Sequence, residues 1–367
     1  MRKIAILYLL GALLVSGCVR DEFDTTRVVE GAAARISLKI TLPVMGGGTD
    51  TRAVSADVEK RLDNLFVLVF DGGGKIVTRH RYTAQTGASL SSLLIDTRSG
   101  KGHTLCFVAN VKDGMDSQLM ALTSYNALKG LLVTATELNL GQSTDVPLIM
   151  TAIMENVNVQ EGANSISNPV QLQFLAAKVT LTLVDNTPDT QEVTIIGWDV
   201  QDAPTRSYLF PDDSKDANPN PETAGADKDE YWLTTGVDYP FEEEDKQAGT
   251  ATQTLYVFEN RRGGRIPRAL PADPDEQYSN MGLNDKDSRG KAWYKPKRAT
   301  AIVVTAMHKA DLVTRQIKAF IYLGQDNHSD YNIRRGHHYT FTVTVNVEWI
   351  GDGNFLAALF GMQGYWI

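Results

Sequence analysis

The sequence predicts an all-β protein in which two antiparallel β-sandwich domains follow one another. Short apolar segments typical of strands recur about every dozen residues over much of the chain. Apolar and polar residues alternate with the period of a half-buried strand, most clearly at 36–42 and 339–345. A polar stretch at 160–168 separates two sets of such segments, and 367 residues are enough for more than one core.

The chain begins with a short leader that is not part of this fold. An apolar run at 4–15 follows two basic residues and is too short to cross a bilayer. It ends in Val15-Ser16-Gly17-Cys18, which resembles the bacterial lipobox, in which the cysteine is lipidated and becomes the first mature residue. We therefore expect a lipoprotein signal peptide at 1–17, a membrane-anchoring lipid on Cys18, and a polar tether at 18–33.

The first strand segment, 34–43, is strongly amphipathic, with one apolar and one polar face. Pro43 ends it, and the glycine-containing loop that follows carries Arg52, where a trypsin-like protease can reach the chain. Arg27 in the tether and Arg35 at the start of the strand are alternative cleavage points. Such a strand can be held, removed or exchanged. Its apolar face consists of Ile36, Leu38, Ile40 and Leu42.

The N-terminal domain is assigned to 34–165. The apolar run Leu65–Phe70, a glycine turn and a returning apolar segment predict a β-hairpin. Apolar residues at helical spacing between 115 and 133 predict a helix or helical loop. Further strands are expected at 93–95, 104–109 and 146–150.

The C-terminal domain is assigned to 166–346 and carries the longer loops, at 211–230 and 259–298. The tail, 347–367, has a large apolar content for a chain end. It is either a last element packed on its own domain or a segment offered to another molecule. The strands expected in this domain lie at 170–174, 179–183, 193–200, 207–210, 255–258, 301–306, 317–323 and 339–345.

Composition and motifs exclude several classes of function. The net charge of −8, without a block of basic residues, argues against a nucleic-acid partner. Besides Cys18, the sequence holds only Cys106, in an apolar run that predicts a buried, inert thiol. Neither metal-ligand spacing nor a nucleophile, phosphate or dinucleotide motif occurs. We therefore expect no catalytic residues, no metal and no cofactor, and a protein that is not an enzyme.

Several segments, in the same order along most of the chain, resemble the fimbrillin family of the Bacteroidales, the subunits of type V pili. The lipobox and the first strand with its Arg52 loop are the first of them. The closing block, 331–339, is the most specific. The others are Leu65–Asp71 with Gly74-Lys75, Phe107–Asn110, Leu175–Val179, Ala203–Leu209, Phe258–Gly263 and Ile321–Gly324.

The resemblance implies two transthyretin-like β sandwiches, export as a lipoprotein to the outer membrane, palmitate on Cys18, and assembly into fimbriae that mediate cell adhesion. It implies that an arginine-specific protease cuts after Arg52, so that strand 34–43 is removed. Ile36, Leu38, Ile40 and Leu42 would plug a groove that a strand of another subunit fills after cleavage. This donor strand exchange is a form of β-augmentation.

The resemblance leaves alternatives open. The tail alternates poorly for a donor strand, which leaves the place of the chain in the fibre open between a shaft, a tip and an anchor subunit. A different alternative is a surface lipoprotein that does not polymerise and that binds glycan or host protein through loop aromatics of the second domain. These are Tyr231, Trp232, Tyr278 and Trp293.

Overall fold

The structure is a computed structural model that describes twelve stretches of the chain. The leader, Cys18, Arg27 and Arg52 lie outside them, as do most of the loop aromatics predicted to bind a ligand. Among the described residues, no helix has the length and apolar character needed to cross a membrane. The described stretches are 30–43, 61–83, 89–134, 147–186, 193–210, 239–264, 266–267, 293–294, 298–310, 313–324, 330–349 and 356–366.

The described residues of the first half form strands β1 to β10 and helices α1 and α2. The predicted hairpin is confirmed, because the second and third strands pair antiparallel. The predicted helical segment is also confirmed. The elements are β1 (Ala33–Thr41), β2 (Asn64–Phe70), β3 (Ile76–Thr83), β4 (Ser89–Arg98), β5 (Gly100–Ala109), α1 (Asp113–Ala121), α2 (Tyr125–Lys129), β6 (Leu132–Thr134), β7 (Met150–Val159), β8 (Gly162–Ser165), β9 (Val170–Gln171) and β10 (Gln173–Phe174).

Local sequence accounts for two of these boundaries. The hairpin turns at 71–75 because the Asp71 carboxylate accepts hydrogen bonds from the amides of Gly73 and Lys75, each at 2.9 Å. The strand predicted at 146–150 begins only at Met150. Pro147 lacks the N–H that a strand interior requires.

Two sheets of the first half face each other across one core. The first has the order β4-β1-β8, with β9 also pairing with β1, and the second has the order β10-β7-β5-β2-β3. Large aromatic side chains such as Phe66, Phe107 and Phe174 are fully buried between them. The strand β1 therefore lies inside its sheet, and its side chains belong to the first core.

The described residues of the second half form strands β11 to β23 and helix α3. Two four-stranded sheets, β15-β11-β22-β23 and β14-β12-β19-β20, enclose a second core. The elements are β11 (Ala176–Asp185), β12 (Val193–Gln201), β13 (Arg206–Tyr208), β14 (Tyr239–Pro240), α3 (Glu243–Ala248), β15 (Thr250–Phe258), β16 (Asn260–Gly264), β17 (Ile266–Pro267), β18 (Trp293–Tyr294), β19 (Ala301–Ala310), β20 (Val313–Tyr322), β21 (Asp330–Ile333), β22 (His338–Trp349) and β23 (Leu356–Trp366).

The all-β sandwich fold is confirmed, and hydrogen bonding links its two halves. Strands β9 and β10 pair with β1 and β7, so first-half pairing continues to Phe174, beyond the predicted boundary at 165/166. Strand β13 pairs with β6, and Phe258 at the end of β15 is buried in the first core. The two halves are thus joined by strand pairing and by shared core packing.

The apolar tail forms strand β23, which pairs antiparallel with β22 along its whole length. The register runs from Tyr339 opposite Trp366 to Trp349 opposite Leu356. This pairing matches the first of the two interpretations of the tail, a last element on its own domain.

Candidate functional site

Strand β1 fills a slot between two partners of opposite direction. On one side it pairs antiparallel with β4, with Ile36 opposite Ile95 and Leu38 opposite Leu93. On the other side it pairs parallel with β8 at 34–37 and then with β9 at 40–41. Removing β1 would leave two unpaired strand edges facing each other, which only another extended strand can satisfy.

The predicted apolar row lies together on the inner face of β1. The side chains of Ile36 and Ile40 are fully buried, Leu38 is 3% exposed, and Leu42 is half-buried against the same core. Burying three such side chains contributes roughly 5–9 kcal/mol, at about 1.5–3 kcal/mol each. Burial of these apolar side chains therefore provides most of the free energy that holds β1 in its slot.

The outer face of β1 is open to solvent and carries charge. Arg35 lies directly opposite Asp96 on β4, and its Nε donates to Asp96 Oδ1 at 2.5 Å. This hydrogen bond lowers the pKa of the Asp96 carboxyl. Both side chains are more than half exposed, so the pair adds little to the hold on β1.

Backbone hydrogen bonds fasten the N-terminal end of β1 to the turn between β4 and β5. The Gly31 amide donates to Ser99 O at 2.8 Å, and the Ser99 amide donates to Ala32 O at 2.8 Å. The Ser99 hydroxyl accepts from the Ala32 amide at 2.9 Å, and the Glu30 carboxylate accepts from the Lys101 amide at 3.1 Å. This end is the better anchored of the two.

The outer edge of β4 is closed by side chains of β3, which sequence reasoning missed. The Tyr82 hydroxyl donates to Leu94 O at 2.7 Å, and His80 Nε2 lies 2.7 Å from Asp96 O. Burial, reinforced by the Asp96 carboxylate, raises the pKa of Tyr82 to about 12, so the hydroxyl keeps its proton. Two carbonyls on this edge of β4 are therefore already hydrogen-bonded to side chains of β3.

A buried charged cluster in the second half explains two of the segments that carry the family resemblance. Glu259 Oε1 lies 3.2 Å from Arg335 Nη1 and 3.3 Å from Arg261 Nε, and all three side chains are buried. The backbone amide of Arg335 donates to Glu259 Oε2 at 3.3 Å. The cluster fixes the turn at 334–337, whose Gly336 amide donates to Ala176 O at 2.9 Å.

The remaining predicted site residues have no described counterpart or are inert. Cys18, Arg27 and Arg52 lie outside the described residues, whereas Arg35 lies inside β1, paired on both sides. Cys106 is buried, and burial raises the pKa of its thiol. Within the described stretches, no group of three or more His, Cys, Asp or Glu side chains could hold a metal ion.

Family profiles match two parts of the chain. Residues 34–199 match the family described as Major fimbrial subunit protein (FimA). Residues 255–343 match a domain of unknown function, DUF4906. The FimA match includes β1 and both of its partner sides.

A protein of Parabacteroides distasonis, provisionally described as fimbrium tip subunit Fim1C, is 26% identical to this chain over 232 residues. The match covers 57% of this chain and 60% of that protein, so the chain spans about three fifths of this relative's length. The relative and the family profile together confirm the resemblance to fimbrial subunits that the sequence predicted.

Solved structures show the same fold at low identity. The tip fimbrial protein Mfa3 from Porphyromonas gingivalis, with C-terminal truncation, is 13% identical, covers 91% of this chain and 100% of its own, and has a TM-score of 0.53. A provisionally named cell adhesion protein from Parabacteroides distasonis is 16% identical, covers 91% and 97%, and has a TM-score of 0.56.

Proposed function

We propose that this chain is an accepting subunit in a cell-surface fimbrium. The proposal starts from the match of residues 34–199 to the FimA fimbrial-subunit family. A strand of the neighbouring subunit replaces β1 between β4 and the β8–β9 edge. The observation that carries the proposal is the position of β1, which pairs on both sides and buries only one face. Its loss exposes an apolar slot with two open edges, which fits a strand and little else.

One cut after Arg52 would release both β1 and the lipid on Cys18, because both lie N-terminal to that residue. Arg35 is a poor alternative, since its backbone is held in two ladders and a protease needs an accessible chain. A cut after Arg27 would remove the lipid and leave β1 in place. Of these three cuts by an arginine-specific protease, only the one after Arg52 would couple export to assembly.

The C-terminal strand favours the tip position over the shaft. A shaft subunit must donate a strand as well as accept one, whereas β23 is paired with β22 of its own chain. Two of the relatives are described by their names as fimbrium tip proteins. A subunit that accepts without donating ends the fibre, and from there it would contribute to adhesion.

The experiment is to determine the N-terminal residue of the protein recovered from the cell surface, in wild type, Arg52→Ala and Arg27→Ala. We expect a start at Ala53 in wild type and in Arg27→Ala, with the protein incorporated in high-mass fibres. Arg52→Ala should start at Cys18 and stay out of the fibres. Normal incorporation of uncut Arg52→Ala protein would refute the proposal.

The alternative, a surface lipoprotein that binds glycan or host protein without joining a fibre, predicts a lipidated start at Cys18 in all three proteins. It also predicts saturable ligand binding by the monomer. The same N-terminal analysis therefore separates the two functions.

A further inference from the structure

Strand β1 ends at Thr41, two residues before Pro43, but the slot continues beyond it. The parallel ladder runs through Thr41, whose carbonyl accepts from the Leu172 amide at 3.0 Å. A regular parallel ladder alternates donors from the two strands, so the next hydrogen bond would join the amide of residue 43 to Leu172 O. Pro43 has no N–H, so β1 cannot make this bond.

The partner strand remains extended at this point. Residues 170–172 face β1, and Gln173 and Phe174 then pair with β7 of the opposite sheet. Phe174 is fully buried, and the Leu175 amide donates to Ile149 O at 2.9 Å. The edge that carries Leu172 O is therefore held on its C-terminal side by hydrogen bonds that do not involve β1.

A cavity lies beside the same ladder position. It has a volume of about 340 Å³ and is lined by Pro43, Gln171, Leu172, Gln173 and Gly336. The exposed side chains of Gln171 and Gln173 stand on the outer face, where the side chain at ladder position 43 also points. Gly336 closes the cavity from the second half, so the end of the slot lies where the two halves meet.

We propose that the incoming strand of another fimbrial subunit fills the slot one ladder step further than β1 does. It places an amide where β1 has Pro43, donates to Leu172 O, and sets a side chain larger than proline into the cavity lined by Gln171 and Gln173. This inference rests on the proposed function. The occupant is a fimbrial subunit's strand because the unfilled step prolongs the slot of β1 along its β9 edge.

The consequence is a direction for the exchange. A strand that matches β1 elsewhere and gains one backbone hydrogen bond binds about three- to tenfold more tightly, as net hydrogen-bond contributions imply. Proline at the end of β1 makes the resident strand the weaker occupant, although it fills the apolar floor. The subunit thus retains β1 before cleavage and yields it afterwards.

The test uses the full chain with a specific protease site inserted after Arg52, so that cleavage is assured. Three synthetic peptides carry residues 33–42 followed by alanine, proline or N-methylalanine at position 43, and each is added to the cut protein. The N-methylalanine peptide is the matched control, because it keeps the alanine side chain and lacks the N–H. The dissociation half-life of each bound peptide is measured.

We expect the alanine peptide to dissociate about three- to tenfold more slowly than both peptides without the N–H. Equal half-lives for all three would overturn the inference and leave the proposed function standing, since the peptides would still occupy the slot. Failure of every peptide to enter the cut protein would overturn both.

The cavity is tested by a fourth peptide with tyrosine at position 43 and by the variant Gln171→Trp, which fills the cavity from an exposed position. The tyrosine peptide should outlast the alanine peptide on the natural chain. On the Gln171→Trp chain that advantage should vanish, while the difference between alanine and N-methylalanine persists. A tyrosine advantage that survives Gln171→Trp would refute the assignment of the cavity.

Discussion

Strands β1 and β11 occupy the same position in their sheets, yet only β1 is proposed to leave. Each begins its half of the chain and lies between an antiparallel and a parallel partner. The parallel ladder of β11 runs unbroken from Lys178 to Asp185, whereas that of β1 is interrupted between Ser37 and Ile40.

The two strands also differ in what covers their outer faces. In β11 the outward side chains of Lys178 and Thr180 are buried, and Thr180 Oγ1 lies 2.8 Å from Thr254 Oγ1 and 3.0 Å from His338 Nε2. In β1 the outward Arg35 and Lys39 are exposed. The proposed exchange of β1 therefore rests on its interrupted pairing and its single buried face, not on its position in the sheet.

The largest effect is expected from the charged cluster that anchors β11. Glu259→Ala removes the carboxylate that contacts Arg261 and Arg335, and breaking a buried ion pair in this way costs about 3–5 kcal/mol. Chemical denaturation should show this loss in the uncut protein and equally after release of β1. A loss confined to the uncut protein would mean that the cluster supports β1 rather than β11.

A matched pair of truncations, one in each strand, should distinguish the behaviour of β1 from that of β11. Leu181→Ala in β11 and Ile36→Ala in β1 each remove a buried side chain and should lower the free energy of unfolding by about 2–5 kcal/mol. Once β1 has been released and replaced by a donor peptide, Ile36→Ala should have no effect, while Leu181→Ala should keep its full cost. An effect of Ile36→Ala on the exchanged protein would show that β1 had not left.

The closed edge of β4 gives a smaller effect. Tyr82→Phe removes the hydrogen bond to Leu94 O and should cost about 0.5–1.5 kcal/mol. It also leaves the Leu94 carbonyl, on the edge of β4 that faces away from β1, available to another strand. Sedimentation should therefore detect extra self-association after cleavage. Tyr208→Phe, in the short strand β13, is the control. Equal association of both variants would contradict the edge-closing role.

The smallest effect concerns pH. Because the Arg35 guanidinium lowers the pKa of Asp96 in the folded protein, this pair stabilises β1 above the unfolded pKa, about 3.9, and the stabilisation is lost as the pH falls through the folded value. Release of β1 from cut protein should therefore be slightly faster below about pH 4. Asp96→Asn should remove this dependence. An unchanged pH profile in Asp96→Asn would show that the Arg35–Asp96 pair is not its cause.

Local patterns were enough to predict much of the fold. The inner row of β1, the glycine hairpin of β2 and β3, the helical segment and most second-half strands follow from period-two or helical spacing. These signals lie within about ten residues, where side-chain periodicity determines which face is buried. Cys106, predicted to be buried, is buried.

Long-range features had no comparable signal. Strand β8, Gly162–Ser165, is short and lacks an apolar row, so nothing in it indicates a parallel partner for β1. Glu259 and Arg335 are 76 residues apart, and their pairing appears only when β15 and β22 flank β11. Tyr82, which closes the edge of β4, lies in a polar strand that the sequence identified only as the second strand of a hairpin.

A reversible lock on β1 tests whether this strand leaves its slot during assembly. Ser37 and Leu94 lie opposite each other, and their carbonyls point away from the β1–β4 pair, Ser37 O toward the Ile166 amide and Leu94 O toward Tyr82. Opposed residues of this kind have Cα atoms about 4.5 Å apart, within the range for a disulfide.

The measurement is incorporation of the cut Ser37→Cys, Leu94→Cys double variant into fibres, under oxidising conditions and after reduction. We expect the disulfide-bonded protein to stay out of the fibres and reduction to restore incorporation, while each single variant assembles under both conditions. Equal incorporation with the disulfide intact would show that β1 remains in place during assembly, and would refute the proposed exchange of this strand.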